Sequence, residues 1–402
     1  MLPGRVQAQA QAAATTVFTG GAVLTVDARF SQAEAIAIRG NQILAVGSDA
    51  AVRAAAGADA RVVDLRGRVM LPGFIEPHAH VVAGAVVDSL MDYVGMVRFS
   101  TTAQVLDHLK AKAKSTPPGE WIMARNFDPA LQAGPESIGF VELDAVSTGH
   151  PVFVLNASGH VAYANRKAFE VAGIAEDVKD PPGAEFVRDG AGKLSGAMKN
   201  NLAFGQVLFK NPAVKNADPV KALVGLLGRW GRLGLTTASE LALGSLSQSP
   251  ADFKVMMGAA ASGQLKVRIR AYPFYTVGIE AWDQAGVKPG DGNALARVVG
   301  YKLVADGSNQ GFTGLQREPY LNSTNRGIAY MSVDELKAQA VDRARKGWQL
   351  AIHGNGDAGI DNVLTALQAV SDAGVDMGRL RARIEHCSML HDEQIAKMKQ
   401  LQ

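Results

Sequence analysis

The chain has 402 residues, enough for two or three domains or for one large barrel with additions. Hydrophobic residues at 47% and charged residues at 20% are ordinary for a globular protein and exclude a disordered, collagen-like or coiled-coil chain. With 41 basic against 38 acidic side chains the net charge is +3 and no basic run stands out, so no nucleic-acid partner is expected. The single cysteine, Cys387, excludes an internal disulfide framework and a cysteine-based zinc module. No apolar run approaches the roughly 18 residues of a membrane helix, so a soluble chain without a membrane partner is expected.

In chain order, Met1 to Thr16 is rich in Ala and Gln and reads as a flexible leader. Ala8-Gln9-Ala10 has the small residues of a secretory cleavage site, but no apolar segment precedes it. The expected compartment is the cytoplasm, with the periplasm or secretion as the alternative if a signal peptide has been lost upstream. Residues 17–72 are short and β-like. Ile36-Ala37-Ile38 and Ile43-Leu44-Ala45-Val46 flank a Gly40-Asn41 turn, and Val62-Val63-Asp64-Leu65 and Val69-Met70 follow. A small sheet or half-sandwich is expected there, carrying no cluster of chemical residues.

Residues 73–402 differ. Phe74-Ile75 opens a buried strand that ends in Glu76-Pro77-His78-Ala79-His80. Val298 to Ala305 reads as a strand, and Ser332-Val333-Asp334-Glu335 as a capping box opening a helix that runs to Gly347. Leu350-Ala351-Ile352-His353 is a strand, Asp357 is the expected cap of a helix ending near Gly374, Arg383-Ile384-Glu385-His386 is a strand, and Asp392 starts a helix. Alternating strands and helices imply an α/β fold with a parallel sheet, open or closed. His353 and His386 lie close to one unit apart, about 31 residues in an eight-fold barrel of about 250. Between His80 and Lys302 the chain is too long for three units, so an insertion on the order of 130 residues is expected within about 85–230. Asp180-Pro181-Pro182-Gly183 and Asp189-Gly190-Ala191-Gly192 belong to it on this reading.

His78 and His80 are two apart on a strand, so both imidazoles face one side and can reach one ion. The same pair would also serve as two hydrogen-bonded histidines at a strand–loop junction. His353 and His386 each end a strand, where barrel sites lie, so their side chains converge above the barrel. Four imidazoles on one face have little structural purpose without a cation. Lys302 sits in a strand that is otherwise apolar on both sides. A plain ammonium has only donors and cannot ligate. Carbamylated by CO2 it becomes an anion able to bridge two ions; paired with Asp306, or reaching out of the barrel, it would be structural.

Leu71-Pro72-Gly73-Phe74-Ile75-Glu76-Pro77-His78-Ala79-His80 resembles the first-strand motif of the amidohydrolase superfamily. Ser158-Gly159-His160 with Asn165, Lys302 to Ser308, Arg317-Glu318-Pro319-Tyr320, His353 to Asp357 and Ile384-Glu385-His386 resemble its YtcJ-like branch, amidohydrolase family 3, which includes N-substituted formamide deformylase. The resemblance implies a (β/α)8 TIM-type barrel beside a small N-terminal β-sandwich. It further implies one or two divalent metals, usually zinc, with His78 and His80 on one, His353 and His386 on the other, and a carbamylated Lys302 between. By the same resemblance Lys302 and His160 are the catalytic candidates, and His160 and Asp306 the substrate-binding ones. The implied reaction is hydrolysis of an amide or N-substituted formamide bond in a small molecule.

Two departures accompany the resemblance. After His386 only a short tail remains, where two more strand–helix units would take roughly 60 residues. The proton-shuttling Asp that the family carries on its eighth strand has no counterpart, so the alternative is a truncated remnant that holds metal without turnover. Asn200 stands near Gly196-Ala197-Met198-Lys199, where relatives often carry Glu. A homodimer is the expected assembly.

Overall fold

The computed structural model describes residues 14–135 and 137–401. The chain divides into two compact units, Met1–Phe74 and Ile75–Gln402.

In the first unit, β1 (Thr15–Thr19), β2 (Ala22–Leu24), β3 (Gln32–Ala33), β4 (Ala35–Arg39), β5 (Gln42–Gly47), β6 (Arg61–Asp64) and β7 (Val69–Met70) form two small sheets, ordered β5-β4-β1-β6 and β3-β2-β7. Strand therefore begins at Thr15, inside the stretch read as leader; Met1 to Ala13 lie outside the described residues. The β4–β5 hairpin turns at Gly40, whose φ of 61° is cheap for a residue without a Cβ. Helix α1 (Asp49–Ala56) starts where the Ser48 side chain accepts the Ala51 amide, and it buries Val52 and Ala56 against Val17, Ala35 and Ala37.

The second unit opens with β8 (Phe74–Ala79) and α2 (Val81–Leu90). A mixed six-stranded sheet follows, ordered β13-β14-β12-β11-β10-β9: β9 (Asp92–Tyr93), β10 (Ile122–Phe127), β11 (Val152–Asn156), β12 (Val161–Ala164), β13 (Glu185–Arg188) and β14 (Leu194–Lys199). The β10 and β11 segments IMARNF and VFVLN are apolar on both faces because both faces are covered, by two separate core clusters.

The chain then builds parallel strands: β15 (Leu235–Leu243), β16 (Arg268–Pro273), β17 (Ala296–Val298), β18 (Gly300–Val304), β19 (Gln349–Gly354) and β20 (Arg383–His386). They form two sheets, β17-β16-β15-β8 and β18-β19-β20, linked by a parallel bridge between Phe274 and Lys302. Period-two alternation sorts their side chains. Tyr301, Leu303, Leu350 and Ile352 pack on the helix side with Leu336, Ala340, Ile360 and Val363. Each such buried aliphatic side chain contributes about 1.5–3 kcal/mol. Lys302, Ala351 and His353 take the opposite face, since Lys302 pairs with Ala351 and Val304 with His353. His78 on β8 touches Glu385 and His386 on β20, so the strands curl into an arc whose ends face each other. No strand pairing joins β8 to β20 among the described residues, and the arc is open between them.

The capping box at Ser332 opens the Val333–Arg345 helix. Asp357 is not the cap of the next helix, Asp357–Asp372; Gly356 is. A Cβ at residue 356 would stand 2.0 Å from the Leu315 carbonyl oxygen, so only glycine fits there, and Asp357 in the first turn instead accepts the Arg317 amide at 2.7 Å. Among the described residues no helix is long and apolar enough to cross a membrane.

Candidate metal centre

Five imidazoles stand in file along the open face of the arc. Ring centroids are 5.4 Å apart for His80 and His78, 4.6 Å for His78 and His386, 4.3 Å for His386 and His353, and 5.1 Å for His353 and His160. The first four come from the ends of β8, β19 and β20; His160 arrives from the six-stranded sheet, just before β12. Simple alternation would turn His386 away from the side that Glu385 occupies. It returns because His386 and Cys387 take φ of 71° and 54°, a left-handed pair costing roughly 1–2 kcal/mol per residue.

Burial holds all five rings below the ordinary imidazole range, His160 at about 4 and His386 at about 3, and the neighbouring Lys302 adds to the effect on each. They are therefore neutral at physiological pH, with one lone pair each. His78 Nδ1 lies 2.5 Å from Glu385 Oε2. His353 Nε2 lies 2.8 Å from the Gly307 carbonyl, which leaves its Nδ1 as the nitrogen with the lone pair. His160 Nδ1 is 3.3 Å from the Tyr330 hydroxyl, whose pKa burial raises above its usual value.

Lys302 is 2% exposed, and its side-chain nitrogen makes no hydrogen bond or ion pair among the described residues. Burial pulls it down to about 7, against the upward pull of Glu385 and Glu240. Asp306 does not pair with it. Its carboxylate accepts the backbone amides of Leu315, Asn355 and Gly356 at 2.8–2.9 Å, tying together the loops that follow β18 and β19. Desolvation still outweighs those three donors and pushes Asp306 up to about 6. The Asn200 side chain accepts the Leu202 amide and donates to the Gly183 carbonyl, and its backbone N–H donates to the His160 carbonyl at 2.7 Å, so it fixes the backbone of His160.

Three residues beside the rings have no role assigned from the sequence. Glu385 and its partner Arg383 hold His78. Glu240 on β15 accepts the amides of Val82 and Ala242 at 2.6 Å each, and thereby pins the start of α2 directly after His80. The available signal was a glutamate inside an apolar strand, as in Ala238-Ser239-Glu240-Leu241 and Ile384-Glu385-His386, a residue type almost never buried unless partnered.

The fit to a metal follows from donor chemistry. Neutral imidazoles in mutual contact supply lone pairs, and a buried lysine free of any partner adds a site for an anionic ligand. Among the described residues no three His, Cys, Asp or Glu side chains already converge at coordination distance.

Parallel strands with histidines at their ends beside a lone buried lysine make an α/β protein, and the family described as "Amidohydrolase family" matches residues 61–402. The chain belongs to that family and, within it, to the YtcJ-like branch. N-substituted formamide deformylase of Arthrobacter pascens is 28% identical over 87% of this chain and 64% of its own length. Putative amidohydrolase YtcJ of Bacillus subtilis is 23% identical over 88% of this chain and 65% of its own. The chain thus spans about two thirds of these relatives. An uncharacterized metal-dependent hydrolase from Pyrococcus horikoshii shares the fold at a TM-score of 0.68 and 21% identity, covering 96% of this chain and 73% of that one.

Proposed function

We propose that the protein hydrolyses a carbon–nitrogen bond of amide or N-substituted formamide type in a small molecule, using a divalent metal, with zinc the first choice. The observation that carries this reading is the file of five neutral imidazoles beside a partnerless buried lysine. His78 and His80 would hold one ion and His353 and His386 another. A bound divalent ion would supply Lewis acidity, polarising a carbonyl and making water a usable nucleophile at neutral pH. Lys302, lowered to about 7, presents a substantial share of free amine at neutral pH. That amine could add to CO2 and lose a proton, and the two oxygens of the resulting carbamate would serve as ligands. His160, neutral and backed by Tyr330, would donate to or accept from a substrate's polar group.

A second reading, a metal-holding chain without turnover, is favoured by one observation. The carboxylates nearest the rings are engaged, Asp306 by three amides and Glu385 by His78 and Arg383, so neither stands free to move a proton to the departing amine.

Elemental analysis combined with a panel of amides and formamides separates the two. His78→Ala or His80→Ala is expected to remove metal and any hydrolysis together, and unchanged turnover would contradict the ligand assignment. A carboxyl group's added mass on Lys302 is the expected sign of the bridge.

A further inference from the structure

We propose that Glu385, steadied by Arg383, is a positioning residue that fixes the tautomer of His78 and so decides which ring nitrogen faces the ion. This rests on reading the site as a metal centre.

The geometry is specific. Glu385 is 5% exposed and faces the same side as His78 from the opposite end of the arc. Its Oε2 is 2.5 Å from His78 Nδ1. An ionised carboxylate only accepts, so at that distance the ring proton sits on Nδ1 and the lone pair is left on Nε2. His78 Nε2 makes no hydrogen bond among the described residues. The ring's remaining neighbours are His80 and His386, the other ligand candidates.

Arg383 holds both sides of this contact. Its Nη2 donates to Glu385 Oε2 at 3.1 Å and to the Pro77 carbonyl at 2.9 Å, and its Nε forms an ion-pair contact, without hydrogen-bond alignment, at 2.9 Å from Glu385 Oε1. One guanidinium therefore anchors the carboxylate on β20 and the backbone immediately before His78 on β8. These are the two strand edges that no pairing joins. A ligating histidine whose second nitrogen donates to a carboxylate is oriented and made a better donor by it, and loss of such a partner costs about 10–100-fold in metal affinity.

The test starts from metal-free protein labelled with 15N at histidine, in which long-range proton–nitrogen correlation spectra report the tautomer of each ring, with His78 assigned through His78→Gln. The proton is expected on Nδ1. Glu385→Ala is expected to release it to Nε2, while Glu385→Gln, whose amide oxygen still accepts, retains Nδ1–H. Titration with zinc alone should show Kd raised about 10–100-fold in the alanine variant and less in the glutamine variant. A wild-type ring protonated on Nε2, or a tautomer unchanged in Glu385→Ala, would overturn the proposal; the wild-type measurement needs no variant to fold. Wild-type protein that carries Nδ1–H yet binds no zinc would instead remove the metal reading, and with it the role toward the ion, leaving only the hydrogen bond.

Discussion

The carboxylate of Asp306 accepts amides from two loops, and removing it leaves three buried N–H groups without partners. Each orphaned group costs about 1–3 kcal/mol, so Asp306→Ala is expected to lower stability by about 3 kcal/mol or more, and Asp306→Asn, which keeps one acceptor oxygen, by less. Urea unfolding midpoints measure both; equal midpoints for wild type and the alanine variant would show that the tie is not structural. Glu240 allows a test of pH. Burial raises it from the ordinary 4.5 to about 7, so the folded chain keeps a proton that the unfolded chain releases. The stability tied to that proton is full below pH 4.5 and is lost as pH climbs to about 7, roughly 3 kcal/mol in all. Glu240→Gln carries no such proton, and its stability profile across that window should be flatter than wild type. Parallel profiles would place the charge cost elsewhere.

At the scale of elements, the turn between β19 and the Asp357–Asp372 helix is set by Gly356, packed against the Leu315 carbonyl. Gly356→Ala meets backbone that cannot yield, and is expected to cost about 1–3 kcal/mol and to disturb the Asp306 tie; a midpoint within error of wild type would contradict the close approach. The elements themselves were largely legible. Alternating apolar runs announced β4, β5, β18, β19 and β20, and the box at Ser332 announced its helix, because these signals are local. Candidate ligands were legible too, since a histidine at the end of an apolar strand is conspicuous. What the sequence hides is partnership across distance. Asp306 reads as a group free for substrate until three amides from remote loops are seen on it. Glu385 reads as part of a motif until His78 and Arg383 close on it, and Asp357 reads as a cap until glycine proves to be the only residue that fits beside Leu315.

For the whole molecule, β8 and β20 each end a sheet, and no strand pairing joins them among the described residues. Unpaired edges of parallel sheets invite pairing with another chain. Mass measured by light scattering is therefore expected to rise with concentration, and a constant mass over a wide range would show that side chains such as Arg383 already protect these edges. The six-stranded sheet lies between β8 and β15 in sequence.

That sheet delivers His160, whereas the other four rings are rooted in the arc. The two groups of rings thus have separate foundations. On the proposed function, replacements in the loops around His160 and Asn200 would re-cut the shape offered to an incoming molecule while the four rings of the arc keep their places, so preference for one compound over another would drift without rebuilding the chemistry.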